Sequence, residues 1–139
     1  MVASNGTYLI MAGGWYSSAE KDIDVYTSTL SKYTTDIQLE DAHRWGGAAR
    51  AGSTGNYAVF TGGGSSLTET VNTGLTKGKA SENSHTSALG ITGTTLGNYA
   101  LFAGDSTTIT YYDKNLTKNI ISNGLSVSRT KLASTTLKN

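Results

Sequence analysis

The stretch GNYALFAGD, residues 97–105, decides the fold of this chain because it occurs three times. Related copies are GTYLIMAGG at residues 6–14 and GNYAVFTGG at residues 55–63. Each copy has an opening glycine, a small polar residue, a tyrosine, a mostly apolar run and a glycine close to its end. The opening glycines are 49 and 42 residues apart, and self-similarity at such a period is typical of repeat architectures, including propellers and arrays.

Composition predicts an all-β domain without a nucleic-acid or membrane surface. The chain has 139 residues, a net charge of +1, 17 glycines, no proline and no cysteine, which is one domain's worth of sequence. Low and balanced charge argues against a nucleic-acid partner or a polybasic membrane patch. No apolar run approaches the roughly 20 residues of a membrane helix, and the N-terminal segment lacks the features of a signal peptide. Threonine, tyrosine, valine and isoleucine favour strands.

Two further landmarks keep the register of the repeated stretch. The turn-like tripeptides TST, NTG and DKN precede leucines at equivalent positions, Leu30, Leu75 and Leu116, and a lysine follows each leucine two residues later. We expect the leucine to restart a strand and the lysine to be solvated. The glycines that close each apolar stretch predict a sharp chain reversal, because glycine accepts positive φ.

A segment rich in small residues completes each unit. It starts 11 residues before the next opening glycine, at Arg44 and Thr86, and a third such segment starts at Arg129. The landmarks predict one domain with three units, residues 6–54, 55–96 and 97–139. The predicted strands are 7–13, 21–27, 30–38 and 44–53, then 56–62, 67–72, 75–80 and 86–96, then 98–104, 107–112, 116–122 and 129–137. Threefold similarity in one register favours four-stranded propeller blades over a β-sandwich.

These units resemble kelch repeats. GNYALFAG is similar to their apolar strand, TITYYDKNLTK (108–118) to their strand that ends in a tyrosine and a turn, and LSVSRTKLASTTL (125–137) to their small-residue strand. The second unit departs from the pattern, with Val71 and Asn72 before the turn and Thr86 at the arginine position. More narrowly, the chain is similar to threonine-rich kelch-like repeats of bacterial surface proteins and bacteriophage tail or virion proteins. The resemblance implies an all-β propeller with three blades in this chain.

Closure of such a propeller needs more than this chain, because known propellers have about four to eight blades. The predicted units begin with an apolar strand at Thr7 and end, at Leu137, with the small-residue strand that normally precedes it. In register, Asn139 joins onto Gly6. We therefore expect two copies to form a six-bladed propeller, the C-terminal strand of each completing the first blade of the other. The alternatives are closure of a blade within the chain, packing on an unrelated partner, and a place in a longer array.

No catalytic or metal-binding motif accompanies the repeats. His43 and His85 lack carboxylates at suitable spacing, so we expect solvated loop histidines. Asp22 and Asp24 lack the glycine turn and distal glutamate of a calcium loop, and residues 62–66 lack the lysine and helix of a phosphate loop. We expect no enzyme activity, no metal and no cofactor; a hydrolase with paired carboxylates is the least favoured hypothesis.

Aromatic residues at positions that do not repeat are the binding candidates. Trp15 and Tyr16 follow the first glycine pair in a predicted loop that the other units lack, and Trp45 follows Arg44, which we include among the candidates. Aromatic side chains on loops of a rigid scaffold can stack on sugars or anchor protein contacts. Alternatively the tryptophans cover blade faces, which is the interpretation we prefer for Trp45.

Two functions are expected from these observations. The first is a non-catalytic structural or protein-interaction module of a phage virion or bacterial surface, bound to a protein partner or to its own copies. The second is a carbohydrate-binding, lectin-like propeller that uses Trp15, Tyr16 and Trp45.

Overall fold

A computed structural model describes residues 1–52, 56–80 and 88–136. Within these ranges the chain forms thirteen strands and no helix, which confirms the all-β prediction. The strands build three antiparallel sheets that follow one another along the chain. Five residues to which predictions were attached lie outside the described ranges: Gly55, His85, Thr86, Leu137 and Asn139.

The first sheet has five strands, and one of them is the strand that pairs with its apolar strand on the side away from β3, here called the innermost strand. Its strands are β1 (Val2–Ser4), β2 (Leu9–Tyr16), β3 (Ser18–Tyr26), β4 (Lys32–Tyr33) and β5 (Gln38–His43). The first four pair in chain order, and β5 pairs with the part of β3 that β4 leaves free. Because β1 pairs with β2, the prediction that the first apolar strand lacks its neighbour was wrong.

A short turn makes this pairing possible. The side-chain carbonyl oxygen of Asn5 accepts hydrogen bonds from the backbone amides of Thr7 and Tyr8, at 3.0 and 2.8 Å. Such an Asx turn reverses the chain directly after β1. Three residues are therefore enough for the strand that we had expected from the C-terminus.

The second and third sheets each have four strands. The second comprises β6 (Gly47–Ala51), β7 (Tyr57–Thr61), β8 (Thr68–Asn72) and β9 (Lys77–Lys79). The third comprises β10 (Thr92–Leu96), β11 (Tyr99–Ala103), β12 (Ile109–Tyr112) and β13 (Lys118–Ile121). In both, the small-residue strand pairs with the apolar strand that follows it in sequence. Each sheet therefore begins one strand earlier in the chain than the sequence repeat to which its apolar strand belongs.

The sheets stack face to face with the second sheet in the middle. Side chains alternate between the faces of a strand, so β7 sends Ala58 and Phe60 into a core with the first sheet and Val59 into a core with the third. The first core also holds Ile10 and Val25 of the first sheet. The second core is completed by residues of the third sheet, among them Ala100, Phe102 and Tyr112.

Small residues let β6 and β10, strands of neighbouring sheets, approach closely. A Cβ atom on Gly93 of β10 would lie 2.5 Å from the carbonyl oxygen of Ala48 on β6. A Cβ atom on Gly47 would lie 2.9 Å from the ring of Phe102. Larger side chains at these positions would push the two sheets apart.

The C-terminal segment, predicted as a strand over 129–137, pairs with no strand in the described part of the chain. Residues 131–136 instead run along β10. The amide of Lys131 donates to the carbonyl oxygen of Gly90 at 2.8 Å, just as the Gly90 amide donates to Trp45 at 2.7 Å. All three residues have left-handed φ, at 57°, 79° and 54° respectively. The segment thus occupies, beside the third sheet, the place that β10 occupies beside the second.

The three predicted turns are present, but the leucines belong to them. Leu30, Leu75 and Leu116 have φ values of 61°, 58° and 63°, and each amide donates to the carbonyl oxygen three residues earlier. The strands resume at Lys32, Lys77 and Lys118. The prediction that the leucine restarts the strand was therefore wrong by two residues.

Candidate functional site

A β-bulge extends the β2–β3 hairpin and carries two of the predicted aromatic residues. Gly13 and Gly14 have φ values of 62° and 142°, and the pairing with β3 shifts register between Ala12 and Gly14. The chain therefore continues as a strand through Trp15 and Tyr16. Our predictions of a reversal at this glycine pair and of a loop at the aromatic residues were both wrong.

The turn between β5 and β6 positions the other two predicted residues. The Arg44 amide donates to the Gly63 carbonyl oxygen at 2.8 Å, and the Trp45 carbonyl oxygen accepts from Gly90. Trp45 adopts left-handed φ, and its side chain is exposed. The two hydrogen bonds tie the backbone of this turn to Gly63, after β7 of the second sheet, and to Gly90, before β10 of the third. A Cβ atom on Gly46 would lie 2.6 Å from the carbonyl oxygen of Thr61, so this turn packs directly on β7.

Trp15, Trp45 and Arg44 form an exposed cluster at this place. The two indole rings stack with their centroids 6.2 Å apart and an angle of 28° between their planes. The guanidinium carbon of Arg44 lies 4.9 Å from the Trp15 centroid and 5.7 Å from the Trp45 centroid. Trp15 is 51% exposed and Trp45 is 59% exposed. The preferred interpretation of Trp45, that it covers a blade face, does not describe this exposed ring.

The cluster offers an aromatic surface beside a cation. A cation–π contact at an exposed site is worth roughly 0.5–1 kcal/mol, enough to favour one side-chain arrangement without excluding others. Indole faces stack on sugar rings and on other planar groups, while a guanidinium group binds carboxylates through paired hydrogen bonds. Tyr16, 83% exposed at the hairpin tip, lies outside this cluster.

An open cleft adjoins the cluster on the side of the third sheet. Its volume is about 600 Å³. It is lined by Trp45, Gly46, Leu89, Gly90, Ile91, Lys131 and Leu132. The C-terminal segment therefore forms one wall of the cleft, and Trp45 belongs to both features.

A buried ion pair supports the strand that leads into Arg44. His43 is fully buried at the end of β5, so the prediction that it is a solvated loop residue was wrong. Its Nδ1 lies 2.7 Å from the Gly62 carbonyl oxygen and its Nε2 lies 2.7 Å from Oε2 of Glu69. Both ring nitrogens lie within hydrogen-bond distance of an oxygen atom, so each polar atom of this buried ring has a partner. The pair joins the first sheet to the second.

Glu69 is held as a carboxylate by more than one donor. Burial acts to raise the pKa of Glu69, but hydrogen bonds from His43 and from the backbone amides of Glu40 and Asp41 outweigh it and lower that pKa. The carboxylate is thus compensated on both oxygens. This interaction satisfies buried polar groups and leaves no open position for a substrate.

A chain of hydroxyl groups crosses from the second sheet to the third. The Thr68 hydroxyl lies 2.9 Å from that of Thr61 and 2.8 Å from that of Tyr112, and all three side chains are buried. Sequence reasoning missed both this chain and Glu69. A polar residue within the TETV strand was the only signal, and it does not reveal which sheet lies opposite.

The acidic residues of β3 lie on its solvent side. Asp22 is exposed, and Asp24 pairs with Lys32 at 2.6 Å. Across residues 1–52, 56–80 and 88–136, no three histidine, cysteine or acidic side chains are grouped to hold a metal ion. The same ranges contain no helix with the length and apolar character needed to cross a membrane.

No protein-family model matches the chain, and no curated protein sequence matches it significantly. Its function is therefore inferred from its own residues and their contacts.

Proposed function

We propose that this protein is a non-catalytic structural or protein-interaction module with kelch-like propeller blades, acting in a phage virion or on a bacterial surface. Its stacked sheets are joined by apolar cores and by buried polar contacts, which makes a firm support for binding surfaces. Buried polar side chains, among them His43, Glu69 and Thr68, form hydrogen bonds between neighbouring sheets.

One observation carries the proposal. Met11 on β2 occupies the position that Phe60 has on β7 and Phe102 on β11, as the pairing with the inner strands shows. Both phenylalanines are fully buried between sheets, whereas Met11 is 41% exposed. The first sheet therefore presents an apolar interface position to an outside partner.

We further propose that two copies close a six-bladed propeller. Because β1 already fills the innermost position of the first sheet, closure occurs by stacking of sheets rather than by the simple strand completion expected above. Light scattering coupled to size-exclusion chromatography tests the assembly, with an expected mass of twice the 14.5 kDa chain. A monodisperse single-chain mass at high concentration would refute self-assembly.

A carbohydrate-binding function is the second candidate, and the stacked Trp15–Trp45 pair favours it. The chain has only two tryptophans, so intrinsic tryptophan fluorescence reports on this cluster alone. Titration with a panel of oligosaccharides is expected to change the emission if sugars stack there. A response that is lost in a folded Trp15→Ala variant supports the lectin, and an unchanged spectrum with every sugar contradicts it.

A further inference from the structure

We infer that a second copy of this chain stacks its first sheet on the face of the third sheet that points away from the second sheet, here called the outer face. Leu30 of the second copy packs into this contact between the two chains, which we call the seam. The inference rests on the proposed self-assembly and specifies its orientation and its anchor. The contact is head to tail, so it joins different faces of the two copies.

The three turn leucines carry the argument. Leu75, in the turn of the second sheet, packs against the core shared with the first sheet, and Leu116 packs against the core shared by the second and third sheets. Each leucine thus reaches toward the preceding sheet. Leu30 holds the same place on the first sheet and is 77% exposed. By this repetition, a further sheet is expected to pack on Leu30, and in the inferred assembly the second copy supplies that sheet.

Backbone conformation supports the same conclusion. A left-handed φ is unfavourable for leucine, and glycine adopts it without that cost. Packing against a neighbouring sheet offsets the cost at Leu75 and Leu116. An equivalent contact between copies would do so at Leu30, where the isolated chain leaves the side chain largely in water.

The outer face of the third sheet has matching residues to receive the contact. Leu101 and Ile109 occupy the positions of Ile10 and Ile23 on the first sheet. Those two isoleucines are buried against the second sheet, whereas Leu101 and Ile109 remain partly exposed. The third sheet therefore offers the same kind of surface that the first sheet uses inside the chain.

One segment has to yield when the second copy docks. Residues 131–136 lie beside β10 where the incoming β1 would lie. Side-chain hydroxyl groups hold them there, since Thr92 donates to Ser134 at 2.7 Å and Ser134 donates to the Gly93 carbonyl oxygen at 2.6 Å. These are exposed contacts without a strand ladder, so the segment can be displaced more easily than a paired strand.

Sedimentation velocity over a range of concentrations tests the anchor. Leu30→Ala keeps the Cβ atom and the backbone strain but removes the apolar contact, and we expect it to weaken association by about 10- to 100-fold per seam. Tyr16→Ala is the matched control, because Tyr16 is exposed at the opposite end of the same sheet, and we expect no effect on association.

A disulfide tests the displaced segment in the full chain. The chain has no cysteine of its own. The hydroxyl oxygens of Thr92 and Ser134 lie 2.7 Å apart, so the two side chains point toward each other, as a T92C/S134C disulfide requires. We expect the oxidised variant to remain a monomer and the reduced variant to associate as the parent chain does.

The outcomes separate the inference from the proposed function. Association that depends on Leu30 and is blocked by the disulfide supports both. If the parent chain associates but Leu30→Ala matches it, or the locked variant still associates, the inferred seam is wrong while self-assembly stands. A parent chain that stays monomeric at all concentrations overturns the seam and the self-assembly together.

Discussion

Replacing Leu30 by glycine should stabilise the isolated chain, whereas the same change at Leu75 should destabilise it. Both leucines have φ near +60° in turns with the same backbone hydrogen bonds. They differ in surroundings, because Leu75 packs on the core between two sheets and Leu30 is mostly exposed. The pair therefore separates backbone strain from packing within one motif.

The expected magnitudes follow from two opposing effects. Removing a left-handed leucine relieves about 1–2 kcal/mol of strain, and the greater freedom of glycine in the unfolded chain offsets about 0.5–1 kcal/mol of this. Leu30→Gly should thus raise the free energy of unfolding by about 0.5–1 kcal/mol. Leu75→Gly also loses part of the roughly 1.5–3 kcal/mol of a fully buried leucine, which should leave it about 1 kcal/mol less stable than the parent.

Urea unfolding followed by circular dichroism measures both changes, at concentrations low enough for copies to remain apart. Leu30→Ala is the control, because alanine keeps the strained backbone and should leave the stability within about 0.5 kcal/mol of the parent. If Leu30→Gly is destabilising by as much as Leu75→Gly, strain at these turns is not what distinguishes them, and the reasoning fails.

Three other perturbations test contacts within and between the sheets. Glu69→Gln should lower stability by about 3 kcal/mol at pH 7, since it leaves His43 buried without its carboxylate. Folding lowers the pKa of Glu69, so the contribution of Glu69 to the free energy of unfolding is complete above its unfolded pKa and is lost as the pH falls through its folded pKa. Unfolding measured at a series of acidic pH values should show this loss in the parent and not in the variant. Gly13→Ala should cost about 2–4 kcal/mol, because φ is +62° and its Cβ would lie 2.6 Å from the His43 carbonyl oxygen; an unchanged melting temperature would contradict the bulge geometry. Tyr112→Phe should cost about 1 kcal/mol through the lost hydrogen bond to Thr68, measured by denaturant unfolding, and a neutral result would mean that the hydroxyl chain adds no net stability.

Much of the fold was predictable because the repeated stretch combines turn chemistry with strand periodicity. The strands β7, β8, β11 and β12 fall within the predicted ranges, since alternating apolar residues between glycine-rich turns leave few other structures. The strand of residues 2–4 was missed because three residues provide no periodicity. The position of Leu30 in its turn was missed because leucine is an uncommon residue at left-handed φ.

The candidate cluster was only partly predictable. Trp15 and Trp45 were chosen because they break the repeat, and Arg44 because it stands next to Trp45. Folding brings these three together while leaving Tyr16 at the hairpin tip. His43 was predicted to be a solvated loop residue because the sequence places no carboxylate at a suitable spacing from it. Its partner Glu69 is 26 residues away, and no short-range spacing reveals such a pair.

By itself, the sequence determined the all-β class, the three repeats and most strand positions, because turn residues and alternating side chains act over a few neighbouring residues. Only the tertiary structure decided which strands share a sheet, that β1 completes the first sheet, and that residues 131–136 lie beside the third without pairing. It also decided the different surroundings of Leu30, Leu75 and Leu116, whose sequence contexts are alike. The reason is physical: sheet stacking sets burial through contacts between distant segments, and identical turns gain different neighbours according to their place in the stack.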